Sequence, residues 1–255
     1  MLNDRSRAES EGGFLETVKT VVWAVVIAVL IRSFLFEPFT IPSGSMVPTL
    51  LVGDFVFVSK YSYGYSRYSF PFGVVPIGDR IWKSEPRRGD VAVFRLPSNP
   101  SENYIKRLVG LPGDRIQMKA GILHINGESI RRDPGETCRA KAGDAEADKT
   151  GYVEVMPGGR KHCIFERSDR DELDNTPEFL VPAGHYFAMG DNRDNSIDSR
   201  YRASDGSRPV GFIPAANLVG RAEIVWLSVD EDLRWYQVWR WPFALRFGRM
   251  FSGIE

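Results

Sequence analysis

Twelve consecutive residues, Thr20 to Ile31, carry no charge, and Ser33-Phe34-Leu35-Phe36 continues the apolar run past Arg32. The uncharged run is short for a bilayer, which needs about 20 residues, but Phe14 to Phe36 is long enough if Lys19 and Arg32 extend their stems toward the headgroups. No other segment of the chain is a candidate span. A cleaved secretory signal would end on small residues, and no Ala-x-Ala-like exit follows Ile31. Arg5, Arg7 and Lys19 precede the span, whereas the next basic residue after Arg32 is Lys60. That bias puts the N-terminus in the cytoplasm and everything beyond about residue 37 outside. The expected division is a cytoplasmic tail at 1–13, a transmembrane helix at 14–36 and an extracytoplasmic domain at 37–255.

The outer part has ample material for a core, since 43% of the 255 residues are hydrophobic. Its 33 basic and 33 acidic residues cancel, so no overall field draws a nucleic-acid partner. Cys138 and Cys163 are too few for a disulfide scaffold. They allow either one bridge, fitting an oxidising compartment, or two free thiols, and with His162 they lack the spacing of a zinc site. Short strand-like runs alternate with turn signals at Phe55–Val58, Val91–Phe94, Tyr104–Val109, Ile122–Ile125, His185–Met189 and Ala222–Leu227. Asn126-Gly127 is a hairpin signal, and Gly53-Asp54, Gly89-Asp90 and Gly113-Asp114 punctuate the other runs. Composition turns polar over 117–181, around Gly143 to Lys149, which suggests a subdomain inserted between core halves at 37–116 and 182–228. In the tail, 229–255, Trp235, Tyr236, Trp239, Trp241 and Phe243 interleave with Arg234, Arg240, Arg246 and Arg249. That mixture suits either a lipid headgroup region or a segment packed on the core.

Serine chemistry needs a base, and the chain's three histidines, His124, His162 and His185, lie in no patterned motif. A Gly-x-Ser-x-Gly elbow on Ser45 fails because Ser43 and Val47 stand where glycines would, and no Ser-x-x-Lys occurs. A separate lysine is the remaining base, and Lys106 is the best placed. Strand alternation puts Tyr104, Lys106 and Leu108 on one face and Ile105, Arg107 and Val109 on the other, so one of the two adjacent cations should point inward. Burial that lowers a lysine pKa from about 10.4 to roughly 8 costs about 3 kcal/mol and leaves about a tenth of the amine neutral at pH 7. The competing reading is a surface lysine beside a surface arginine. Likewise Pro42-Ser43-Gly44-Ser45 is ordinary turn chemistry, unless its apolar flank of Phe39, Ile41, Met46, Val47 and Leu50 forms a cleft. Gly190 to Arg200 packs carboxylates, amides and guanidinium groups together. Its Asp191, Asp194 and Asp198 miss the hand-type calcium spacing, and Arg193 and Arg200 would repel a cation, so a hydrogen-bonded scaffold is expected there, with no metal.

These segments, in this order after an apolar anchor, closely resemble the type I signal peptidases of bacteria, membrane-bound serine proteases that remove signal peptides. The resemblance covers Pro42–Gly53, Arg88–Pro97, Tyr104–Asp114 and Gly190–Arg200. It implies Ser45 as nucleophile, Lys106 as general base and an oxyanion hole formed by the Ser43 hydroxyl and the Ser45 N–H. It further implies that Ser196 orients the lysine amine, that Asp198 and Arg200 brace the site, and that Arg107 and Asp191 form a second pair. Phe39, Ile41, Pro42, Met46, Leu50, Val93, Tyr104 and Ile105 would line pockets for the small residues of an Ala-x-Ala cleavage site. The implied fold is a mostly β catalytic core with an inserted second β subdomain behind a single N-terminal transmembrane helix. The implied partners are signal-peptide-bearing preproteins, membrane lipid and secretion machinery, with no nucleic acid and no cofactor. The implied location is the bacterial inner membrane, with the catalytic domain on the periplasmic side. Two other classes compete: a tethered binding module whose serines merely cap a turn, and a self-cleaving regulator, which would carry a DNA-binding segment that the chain lacks.

Overall fold

The apolar run folds as a helix, α1 (Leu2–Phe34), in a computed structural model that describes residues 2–70, 77, 80–136, 138, 150–230, 233 and 241–254. Over Phe14–Phe34 the mean hydropathy is 2.1, and the helix is unburied there apart from Ser33 near its end. At 1.5 Å per residue those 21 residues span about 31 Å, close to the roughly 30 Å of a hydrocarbon core. Val21, Trp23, Ile27 and Leu30 are all exposed, so apolar groups face outward all round, as an anchor in lipid requires. The helix stops before Phe36, the expected boundary, because Phe36 already pairs with Ser59 and sheet pairing takes over the backbone. Arg32 and Lys60 both bind Glu37, at 2.7 and 2.9 Å, which fastens the helix end to the first strand.

Beyond the helix the chain is antiparallel β. The strands are β1 (Phe36–Thr40), β2 (Asp54–Ser59), β3 (Val91–Arg95), β4 (Asn103–Gly110), β5 (Arg115–Lys119), β6 (Ile122–Ile125), β7 (Glu128–Ser129) and β8 (Arg131–Pro134). They continue as β9 (Thr150–Val155), β10 (Lys161–Glu166), β11 (Phe179–Leu180), β12 (His185–Met189), β13 (Ile213–Pro214), β14 (Leu218–Ser228) and β15 (Ser252–Gly253). The main sheet runs β1-β2-β14-β3-β4-β12-β13. Its 11-residue strand β14 bridges β2 and β3 and shifts register at three places, which curls the sheet. The expected Gly-Asp turns recur with one chemistry. Gly53, Gly89 and Gly113 adopt φ of 86°, 87° and 89°, a left-handed conformation that favours glycine. The next residue in each, Asp54, Asp90 or Asp114, accepts the N–H three positions back, from Leu51, Arg87 or Leu111.

Between β4 and β12 the chain builds two small sheets, β11-β5-β6-β7 and β10-β9-β8. Among the described residues neither has a core separate from the main sheet or the Ser45 loop. Ile116, Met118, Leu123 and Ile125 pack into one cluster with Val109, Phe187 and Met189 of the main sheet. Phe165 and Cys138 pack with Val47 and Leu51, directly after Ser45. Cys138 and Cys163 are joined in a disulfide, so of the two readings the bridge holds.

The tail turns back on the core. After α2 (Trp241–Ala244), β15 pairs with β14, Arg249 binds the Asp54 carboxylate at 2.6 Å and Arg246 donates to the Val52 carbonyl at 3.0 Å. These two arginines therefore serve the fold, while Phe243, Phe247 and Phe251 stay exposed. Gly143–Lys149 and the tail residues Arg234, Trp235, Tyr236, Trp239 and Arg240 lie outside the described residues.

Candidate active site

Ser45 sits in a single 3-10 turn, Gly44–Met46, between β1 and β2. Met46 and Leu50 are fully buried beneath it, which fixes the turn on the core. Lys106 reaches it from β4, and its Nζ stands 2.7 Å from Ser45 Oγ. The amine also donates to the Ile105 carbonyl at 3.0 Å and lies 5.4 Å from the centre of the Tyr104 ring. Burial pushes the lysine pKa down to about 8, against the opposing pull of Asp198 and Asp191. The Ser43 hydroxyl lies 3.4 Å from that of Ser45.

Both adjacent cations of β4 are buried, which corrects the expectation that only one would point inward. The curled sheet is covered on both faces here, so Leu108 and Val109 enter different clusters and Arg107 needs its own partner. It donates Nε and Nη2 to the two Asp191 oxygens at 2.8 and 2.7 Å, and Nη1 to the Gly89 carbonyl at 2.7 Å. Thr49 adds a 2.5 Å bond to Asp191, tying the Ser45 loop to this pair. Burial alone would raise the Asp191 carboxyl, but the Arg107 charge and these bonds hold it below the usual carboxylate range. Asp198 and Arg200 form a second buried pair at 3.0 and 2.8 Å, and Asp198 also accepts the Gly190 N–H at 2.9 Å.

Ser196 lines the same cleft as Lys106, yet its buried Oγ makes no hydrogen bond, so the bond expected from it to the amine is absent. The Ile105 carbonyl holds the amine instead. The cleft encloses about 890 Å³ and is lined by Pro42, Ser43, Ser45, Tyr104, Ile105 and Lys106 together with Asp171–Leu173 and Asp194–Ile197. Of the expected pocket residues, Pro42, Tyr104 and Ile105 line it. Ile41, Met46, Leu50 and Val93 are instead 0–2% exposed in the core below, with Phe39 packed against them, because the loop that carries Ser45 lays its apolar side chains on the main sheet.

Several supporting residues carried no signal in the sequence. Glu154 on β9 binds Arg193 at 2.9 and 2.5 Å, and His162 lies 3.3 Å from Glu154. Burial, with Arg107 nearby, pushes His162 down, so it is a neutral member of this charge network. Asn192, one of the amides in the segment singled out, donates its side chain to the Gly44 carbonyl at 2.8 Å and its N–H to that of Ser45 at 3.1 Å. Gly190 is packed so tightly that an added Cβ would collide with Ser196 Oγ and stand 2.5 Å from the Ser45 carbonyl oxygen. Gly190→Ala is expected to cost about 1–3 kcal/mol and at least 100-fold in any reaction that Ser45 carries out, because Ser45 must shift to admit the methyl. Thermal unfolding and steady-state kinetics check both numbers.

A hydroxyl in contact with a buried, partly neutral amine at the floor of an open cleft is the equipment of a hydrolase acting on carbonyl compounds. A family model described as signal peptidase, peptidase S26, matches residues 14–227. The chain is 42% identical to signal peptidase I of Rickettsia canadensis over 92% of both chains. It is 44% identical to signal peptidase I of Pseudomonas aeruginosa over 84% of this chain and 72% of that one. A crystal structure of signal peptidase I from Enterococcus faecalis aligns over 54% of this chain and 97% of its own, at 28% identity and a TM-score of 0.34. The chain belongs to the signal peptidase family, peptidase S26, and is a serine protease of that family.

Proposed function

We propose that this chain is a membrane-anchored endopeptidase that cleaves exported preproteins after Ala-x-Ala-type sites, with Ser45 as nucleophile and Lys106 as general base. The 2.7 Å contact between Ser45 Oγ and the buried Lys106 amine carries this reading. The neutral amine takes the Ser45 proton as Oγ bonds to the scissile carbonyl carbon. The carbonyl oxygen becomes an oxyanion, accepting hydrogen bonds from the Ser43 hydroxyl and the Ser45 N–H. When the C–N bond breaks, the leaving amine receives the proton from Lys106. A water molecule, deprotonated by the same amine, then releases the acyl group and restores Ser45.

Two features support an extended substrate. On its β12 side, β4 is paired only at Arg107, Leu108 and Gly110, so Asn103 to Lys106 present a free edge along the cleft among the described residues. A preprotein strand could pair there with its scissile bond beside Ser45. Pro42, Tyr104 and Ile105 are the residues we assign to the shallow pockets for small side chains, and Ser196 is assigned a positioning role. Asp198, Arg200, Arg107 and Asp191 are assigned to bracing the site.

Lipid contact, a cytoplasmic N-terminus and a catalytic domain on the outer side of the inner membrane are supported by three observations. These are the unburied apolar helix, the basic residues before it, and the disulfide, which fits an oxidising compartment. Phe243, Phe247 and Phe251, exposed beside the fold, suit the interface, and secretion machinery is the natural source of the substrate. The test is cleavage of a preprotein ending in Ala-x-Ala by the detergent-solubilised full chain, with product mass to locate the cut. The parent should cut after the last alanine and Ser45→Ala should not; cleavage that persists in Ser45→Ala would overturn the assignment of the nucleophile, and a folded but inert parent would leave the tethered binding module as the better reading.

A further inference from the structure

Behind the cleft wall, Glu166 at the end of β10, Asp174 in the following loop and Asp194 in the turn before Ser196 converge, with one oxygen from each lying within 4.8 Å of the others. Oxygens each about 2.4 Å from one calcium ion lie at most about 4.8 Å apart, so this spacing is what shared coordination allows. The oxygens are also unspent. Asp194 uses Oδ2 to accept the N–H groups of Arg167 and Ser168, at 2.6 and 3.2 Å, and Asp174 uses Oδ2 to accept that of Asp171 at 2.7 Å. Oδ1 of each is buried without a hydrogen bond, and so are both oxygens of Glu166, which is 2% exposed. A buried carboxylate without a donor is costly, and three together are costlier still.

The nearby guanidinium groups do not settle the account, since each already has a carboxylate. Arg193 is taken by Glu154 and Arg200 by Asp198, and the buried N–H groups each has left over, Nε of Arg193 and Nη1 of Arg200, reach no acceptor. Arg132 stands 3.6 Å from Glu166, beyond hydrogen-bond reach, while it binds Asp169 at 2.9 and 3.1 Å and the Gly121 carbonyl at 3.1 Å.

We propose that Glu166, Asp174 and Asp194 bind a divalent cation of the calcium type. All-oxygen ligation by three carboxylates with loose angular demands suits calcium, whereas magnesium keeps most of its waters and takes one or two carboxylates. The bound ion would join β10 to two segments of the cleft wall, since Asp171–Leu173 and Asp194–Ile197 both line the cleft. It is thus a strut for that wall and takes no part in the chemistry at Ser45. In the sequence Asp194 stands beside Asp191 and Asp198, whereas its partners at this site lie 20 and 28 residues upstream.

The test uses the full chain in detergent, stripped with chelator, desalted and titrated with calcium chloride. Calorimetry should show one equivalent bound, and saturating calcium should raise Tm by roughly 5 °C. Glu166→Gln, which keeps the shape and removes the charge, should remain folded by circular dichroism and lose at least tenfold in affinity together with the Tm gain. Asp174→Asn should do the same. Absence of heat and of a Tm shift in the parent at millimolar calcium would overturn the site, and an equal response to magnesium would overturn the calcium assignment. Binding is independent of the peptidase reading; a higher KM after chelation, with kcat little changed, rests on that reading and tests the strut.

Discussion

Lys106→Met will lower kcat/KM for preprotein cleavage by about 10⁴-fold or more and leave the fold intact. Methionine fills the same buried volume without an amine, so nothing remains within reach of Ser45 Oγ to take its proton. The parent itself supplies the control. With the Lys106 pKa at about 8, kcat/KM should rise about tenfold per pH unit below 8 and level off above it, as the neutral amine becomes the main form. Stability follows the same group. The folded pKa lies below the unfolded value of about 10.4, so between pH 8 and 10.4 the unfolded chain binds more protons and stability rises with pH. Below pH 8 the full penalty of about 3 kcal/mol applies, and Lys106→Met should remove it, holding or raising Tm. A flat parent profile from pH 6 to 9, or more than about 1% of the rate left in the variant, would show that this amine is not the base.

The second large effect is on stability. Asp191→Ala should cost about 3–5 kcal/mol, because it takes the Asp191 carboxylate away from Arg107, which is fully buried. For a chain of this size that is a fall in Tm of about 10 °C, readable by calorimetry in detergent. The pair's contribution depends on pH in the same sense as that of Lys106, rising with pH, but over a far more acidic range. Asp191 is held below its unfolded value of about 3.9, so its stabilisation is complete above that pH and is lost as pH falls through the lowered folded value. Adding Arg107→Met to Asp191→Ala should restore part of the loss, since the penalty comes from the unpaired charge. A double variant that loses the sum of both single losses would assign the pair no mutual energy.

Local signals located most strands. Ile122–Ile125 and His185–Met189 were read to the residue, since each is bounded by turn residues whose backbone needs are local: Asn126 and Gly127 take φ of 56° and 87°, and Gly184 takes 70°. Lys106 stood out because no histidine lay in a motif, and its contact with Ser45 spans 61 residues. Arg107 was harder. Alternation correctly assigned it the face opposite Lys106, but whether that face is wet or dry depends on what the other strands lay over it. Ile41, Met46, Leu50 and Val93 went astray for a related reason, since the same apolar side chain serves a pocket or a core according to which layer covers it.

The anchor, the alternation of the strands, the Gly-Asp turns and the motif around Ser45 are written in near neighbours, because helix propagation, pleating and turn conformation are short-range. The contact of Lys106 with Ser45, the inward turn of Arg246 and Arg249, the Glu154–Arg193 pair and the convergence of Glu166, Asp174 and Asp194 belong to the folded arrangement. Each joins segments remote in the chain, and each depends on burial, which is set by how the curled sheet closes over its neighbours and not by the residues beside it.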